Sequence, residues 1–184
     1  QSYAQSLAEA LVERYDLHGK DIVEIGSGQG DFLRLLCQLG GNRGVGFGPS
    51  YVPEISGPDT SAKVTFVQDY YSEQYADYRA DLICSRHVLE HIQDPVGFLS
   101  TIRAAIGGRS HTAIFFEVPN TAYILRDLAI WDIIYEHCSY FCEPSLACAF
   151  ARAGFEVLQT SDTFAGQFLT IEARPAATRL ECPG

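Results

Sequence analysis

Apolar and polar positions along this chain switch repeatedly between a period of about 3.6 and short continuous runs, and each switch marks an element. Over Ser2 to Tyr15 the apolar residues recur at helical spacing, with Leu7, Ala8, Leu11 and Val12 on one face, which predicts an amphipathic helix. Lys20 to Ile25 predicts a first strand, and Asp31 to Leu39 a helix closing on Gly40-Gly41. Val45 to Phe47, Lys63 to Val67 and Asp81 to Cys84 read as strands two to four, with Tyr51 to Ala62 as a loop and Arg86 to Ile92 as a helical turn. Asp94-Pro95 opens a helix over Val96 to Ile106, Gly107-Gly108 ends it, and Ala113 to Val118 follows as strand five. Glu143-Pro144 starts a helix running to Ala153 and stopped by Gly154; Phe155 to Gln159 and Phe168 to Ala173 are the last two strands. Alternating strands and helices imply an α/β fold, a mainly parallel sheet with helices on both faces. Ligands in such sheets sit beyond the carboxyl ends of the strands, near the switch in strand order.

Composition narrows the function. The 184 residues fit one domain over 1–173 and a tail over 174–184. With a net charge of −10 and only 13 basic residues, the chain offers no basic face for phosphates, so nucleic acid is not the expected partner. No apolar run reaches 18 residues and no signal-like N-terminus is visible, which points away from a membrane and to the cytoplasm. Cys37, Cys84, Cys138, Cys142, Cys148 and Cys182 lack the C-x-x-C pairs of a zinc ribbon and are expected to be thiols in a reducing compartment. Methionine is absent and the chain begins at Gln1, as in a segment of a longer protein or in a chain whose modified methionines are missing.

The most informative stretch is Glu24-Ile25-Gly26-Ser27-Gly28-Gln29-Gly30, where a strand ends on an acid and three alternating glycines open a helix. Gly26 suits the turn off the strand, Gly28 leaves no Cβ where a ligand passes, and Gly30 allows helix and strand to pack closely. A dinucleotide loop, G-x-G-x-x-G, would need glycine at position 31, where Asp31 stands.

This spacing resembles motif I of the class I S-adenosylmethionine (SAM) methyltransferases, and the resemblance extends over nearly the whole chain. It implies their Rossmann-like fold of seven strands, the last antiparallel beside the fifth, with SAM as cofactor. By that resemblance Glu24, Gly26, Ser27, Gly28, Gly30 and position 48 line the cofactor, and Asp69 with the backbone of Tyr70 holds its adenine. Ser85, Arg86 and His87 begin the segment after strand four that lines the methyl-transfer site. Glu117-Val118-Pro119-Asn120 and Ile133 to Phe141, with Gly166 to Leu169, resemble more narrowly the C-methyltransferases of nucleotide-linked keto-deoxysugars. Three departures stand out: neither the flanking zinc-binding nor the C-terminal domain of that group is present, Gly48 replaces the acid that accepts from the ribose, and Tyr135 directly precedes Glu136-His137 where Tyr-His-Glu-His is usual.

Carbon methylation beside a ketone needs a base and a donor to the enolate oxygen. His137 fits the base, Glu136 its orienting neighbour, and either Tyr135 or Tyr140 the donor. Arg86 and Arg126 are the cations best placed by sequence for an anionic acceptor. Tyr70, Tyr71, Tyr75 and Tyr78 are either half-buried packing residues or a lid. His87-Val88-Leu89-Glu90-His91 spells H-x-x-E-H, a zinc pattern on a helix, but it lies at the methyl-site position without a downstream glutamate ligand, so no metal is expected. Two further functions stay open: O- or N-methylation of another small molecule, and a non-catalytic SAM-binding domain of a larger protein. Acceptor and oligomeric state are not readable.

Overall fold

The computed structural model describes residues 2–52 and 63–177. Its elements are α1 (Tyr3–Arg14), β1 (Asp21–Ile25), α2 (Asp31–Gly40), β2 (Arg43–Phe47), β3 (Lys63–Val67), β4 (Leu82–Arg86), α3 (Pro95–Ile106), β5 (Ala113–Pro119), α4 (Thr121–Asp127), α5 (Glu143–Arg152), β6 (Phe155–Thr163) and β7 (Phe168–Pro175). The strands form one seven-stranded sheet in the order β3-β2-β1-β4-β5-β7-β6. β1, β2 and β3 pair in parallel, whereas β7 runs antiparallel to both β5 and β6. The strand order switches between β1 and β4, the position expected for a ligand.

Contacts divide the chain into two compact units, Gln1–Tyr71 with Asp77–Cys84, and Ser72–Ala76 with Ser85–Gly184. In the first, Ser2 caps α1 through Gln5 N–H, and Ala8, Leu11 and Val12 are buried as the spacing requires. α2 buries Phe32, Leu33, Leu36 and Cys37 and stops at Gly41, whose left-handed backbone terminates it. In the second, Asp94 caps α3 by accepting from Gly97 N–H, with Pro95 in the first turn. The β6–β7 hairpin is clasped by a bidentate Arg174–Glu156 pair at 2.8 and 3.0 Å.

Several expectations change. Arg86 is the last residue of β4, and the helical turn shrinks to one 3₁₀ turn at Leu89–His91, because His87 takes φ +55° and gives its N–H to Glu117 O. Helix α4 is additional: Asn120, directly after Pro119, caps it by accepting from Ala122 N–H. Arg174 and Pro175 belong to β7, so the strand takes up the start of the expected tail. Positions 53–62 of the expected loop and position 182 lie outside the described residues. Cys37, Cys84, Cys138 and Cys142 are thiols, but Cys148, half-exposed on α5, is in a disulfide. Among the described residues no helix is long and apolar enough to cross a membrane.

Candidate functional site

In the first unit the glycine loop is built by three left-handed residues: Gly26, Gly28 and Gly30 have φ of +78°, +53° and +87°. Gly26 and Ser27 both donate to Phe47 O, at 2.7 and 3.0 Å, which ties the end of β1 to the end of β2. The glycines differ in what surrounds them. A Cβ on Gly30 would strike the Phe66 ring, which is stacked on Tyr51 at 4.2 Å and lies 4.6 Å under the Arg34 guanidinium. A Cβ on Gly28 would meet none of the described residues within 4 Å. Gly30 therefore serves packing, and Gly28 is open on the side its Cβ would take among the described residues. Beside it the buried Ser27 Oγ has no hydrogen-bond partner among the described residues, and Glu24 is buried at the strand end. An open cradle with an orphaned hydroxyl and an acid fits a polar nucleoside ligand.

Gly48 has room for a side chain, since its Cβ would lie at ordinary contact distance, 3.5 Å, from Gly28 N, Ser27 N and Ser27 Oγ. Asp69 accepts from the N–H of Tyr70 at 2.8 Å, so the two groups expected on an adenine are here bonded to each other. The tyrosine run divides: Tyr71 and Tyr78 pack edge-on against Phe47 at 5.1 and 5.5 Å, whereas Tyr70 is 73% exposed. At the opposite ends of the strands lies a concavity lined by Asp21, Arg43, Lys63 and Arg79, with Arg43 held bidentate by Asp21. It is remote from the glycine loop.

In the second unit the centre is Glu117 on β5, fully buried. Its Oε1 accepts from Arg86 at 2.8 Å and lies 3.0 Å from His87 Nε2. His87 also meets Phe168 edge-on at 4.6 Å. The side chains of Arg86 and His87 are thus engaged with Glu117, while Ser85 is buried at the strand end. Arg86, expected at an anionic acceptor, is instead held by buried Glu117, and Arg126, largely exposed, pairs with Asp127 at 2.7 Å. Buried Asn120 secures the segment after β5: it donates to Asp162 Oδ1 and Gly166 O, both at 3.0 Å, and accepts from Ala122 N–H.

The segment carrying His137 is clamped to the turn after β4. Cys138 and Ser139 N–H both donate to Glu90 O, at 2.8 and 3.0 Å, and His91 Nδ1 lies 2.9 Å from Glu136 O. His137 Nδ1 lies 2.9 Å from Asp132 O, and its ring meets His91 at 4.8 Å and Tyr140 at 6.1 Å between centroids. A carbonyl has no proton to give, so Nδ1 of His137 is placed to donate, and in the neutral ring the lone pair then lies on Nε2. The residue that orients His137 is therefore Asp132 through its backbone, not Glu136, whose side chain is exposed. Tyr135 is 100% exposed, which leaves Tyr140 as the tyrosine beside the histidine.

Sequence reasoning missed Glu90 as a member of this group. It is 2% exposed, one carboxyl oxygen lacks a hydrogen-bond partner among the described residues, and burial raises its pKa against the opposing pull of its own backbone N–H and of His87, His91 and His137. The signal was a lone acid in the apolar run Val88-Leu89, flanked by two histidines.

Residues 1–160 match the family described as methyltransferase domain. The chain is 28% identical over 184 residues to the C-methyltransferase NovU of Streptomyces niveus, covering 95% of this chain and 43% of that protein, so it spans less than half of this curated relative. Among solved structures, the magnesium protoporphyrin IX methyltransferase ChlM of Synechocystis PCC 6803, crystallised with S-adenosylhomocysteine, superposes with TM-score 0.70 at 16% identity, over 94% of this chain and 82% of that one. The N,N-8-amino-8-demethyl-D-riboflavin dimethyltransferase RosA of Streptomyces davawensis gives 0.68 at 20% identity, over 95% and 55%. These likenesses establish the fold.

Proposed function

We infer methyl transfer from the fact that this chain belongs to the family of methyltransferase domains. S-adenosylmethionine is the donor, its sulfonium supplying an electrophilic methyl. Glu24, Ser27 and Gly28 hold it, a reading supported by the open space at Gly28 and the unpartnered Ser27 Oγ. The acceptor is a small molecule, and specifically a carbon beside the keto group of a nucleotide-linked deoxysugar.

The single observation that carries the carbon reading is the 2.9 Å contact between His137 Nδ1 and Asp132 O. With Nδ1–H on Asp132 O, Nε2 is ready to take a proton. His137 removes the proton from the carbon beside the ketone, Tyr140 donates to the enolate oxygen, and the carbon then forms the new C–C bond as the S–CH₃ bond breaks. A positioned histidine in this role contributes about 10²–10⁴-fold. Similarity to the C-methyltransferase of Streptomyces niveus supports the same choice. A cytoplasmic setting belongs to the proposal and rests on the four thiols; the Cys148 disulfide stands against it.

The test is transfer from methyl-labelled SAM to a panel of nucleotide-linked keto-deoxysugars, with the product analysed by carbon NMR. A new C–CH₃ resonance is expected. Label found only on oxygen or nitrogen acceptors would replace carbon methylation with the O- or N-methyltransferase reading.

A further inference from the structure

We propose that Glu90, His91 and His137 bind a divalent first-row transition ion, with zinc the best match. Each residue offers one ligand atom, and these atoms lie within 4.8 Å of one another. Tetrahedral ligands on zinc at 2.0–2.2 Å stand about 3.4 Å apart, so modest side-chain rotation closes the set. Two imidazoles and a carboxylate are the donor set of many open zinc sites, and magnesium or calcium would prefer oxygens alone.

Two further observations point to a ligand. Glu90 is 98% buried, and its Oε2 has no hydrogen-bond partner among the described residues, which leaves a carboxyl oxygen unsatisfied inside the protein. Both histidines also present the support that ligating histidines usually have: Nδ1 of His91 is set on Glu136 O and Nδ1 of His137 on Asp132 O, each at 2.9 Å. With Nδ1–H donating to these carbonyls, each neutral ring keeps its lone pair on Nε2 for a metal. The fold rearranges the H-x-x-E-H pattern of the sequence: His87, which that pattern would use, is engaged with Glu117, and His137 from a distant segment takes its place.

The ion uses the lone pair that would otherwise accept the substrate proton. If His137 is the base, as under the proposed function, occupation of the site switches carbon methylation off.

Cobalt(II), whose visible absorption reports nitrogen and oxygen ligation, is titrated into chelator-treated protein, with zinc(II) competition and calorimetric stoichiometry. One ion per chain is expected, displaced by zinc and not by magnesium. His91→Ala should raise the dissociation constant at least tenfold, with an unchanged circular dichroism spectrum showing that the fold survives loss of the contact to Glu136 O. Glu90→Gln should weaken binding as well. Cys138→Ser, which removes the neighbouring thiol, should leave binding unchanged. An absent cobalt spectrum, full binding by His91→Ala, or loss of binding in Cys138→Ser overturns the site. Methyl transfer should fall with occupancy and return on chelation. An ion bound as described without loss of transfer would establish the site and overturn His137 as the base; no binding would overturn the site and leave the base untouched.

Discussion

Gly28 and Gly30 are two residues apart, share left-handed backbone, and should fail in opposite ways. Replacing Gly28 with alanine places a methyl where none of the described residues lies within 4 Å. The fold then bears only the backbone penalty of an L-residue at φ +53°, roughly 1–2 kcal/mol. For a protein of this size each kcal/mol lowers Tm by about 2–4 °C. Cofactor affinity should also fall, at least tenfold, or about 1.4 kcal/mol, because the methyl occupies the ligand's space. Gly30→Ala carries the same backbone penalty and drives its Cβ into Phe66, a ring confined between Tyr51 and Arg34. Overpacking of that kind costs typically about 1–3 kcal/mol more, so stability should fall further in this variant. Thermal denaturation of both variants, with calorimetric titration of SAM and S-adenosylhomocysteine, separates the two. If Gly28→Ala binds like the parent, the cradle reading of the loop is wrong.

Gly48→Asp should tighten SAM by roughly 1.5–3 kcal/mol, since the position has room and a carboxylate there accepts from the ribose hydroxyls; an unchanged or weaker dissociation constant would show that the ribose is held otherwise. Glu117→Ala should cost about 3–5 kcal/mol in urea unfolding, because Arg86 would keep a charge with its buried partner removed, and a loss below about 1 kcal/mol would mean that the pair is dispensable. Hydrogen bonding to Ser145 lowers the Cys142 thiol pKa, so more thiolate is present at a given pH near neutrality. Ser145→Ala should accordingly slow iodoacetamide labelling of Cys142 at fixed pH, followed by peptide mass spectrometry; an unchanged rate would remove Ser145 as the cause.

The fold was readable because its signals are local. Apolar runs and glycine stops set β3 at its observed bounds and α2 to within one residue, and the strand-loop-helix build of Glu24 to Gly30 needs only neighbours along the chain. What escaped depends on residues distant in sequence. Arg86 looked like a substrate cation until β5 brought Glu117 to it, and Glu136 looked like the partner of His137 although a backbone carbonyl at Asp132 takes that place. The shortened turn after β4 follows from His87 at φ +55°, an exception that residue identity alone does not announce. Tyr135 and Tyr140 were equal candidates in the sequence, and only the bend that puts Tyr140 beside His137 tells them apart.

Carbon methylation through His137 is tested most directly by solvent deuterium exchange at the acceptor carbon, run alongside single-turnover methyl transfer in the parent and in His137→Ala. The parent should exchange the proton beside the ketone and transfer the methyl. The variant should lose both by about 10²–10⁴-fold while its SAM affinity stays within about 0.5 kcal/mol of the parent. Parental exchange and transfer in His137→Ala would contradict the account.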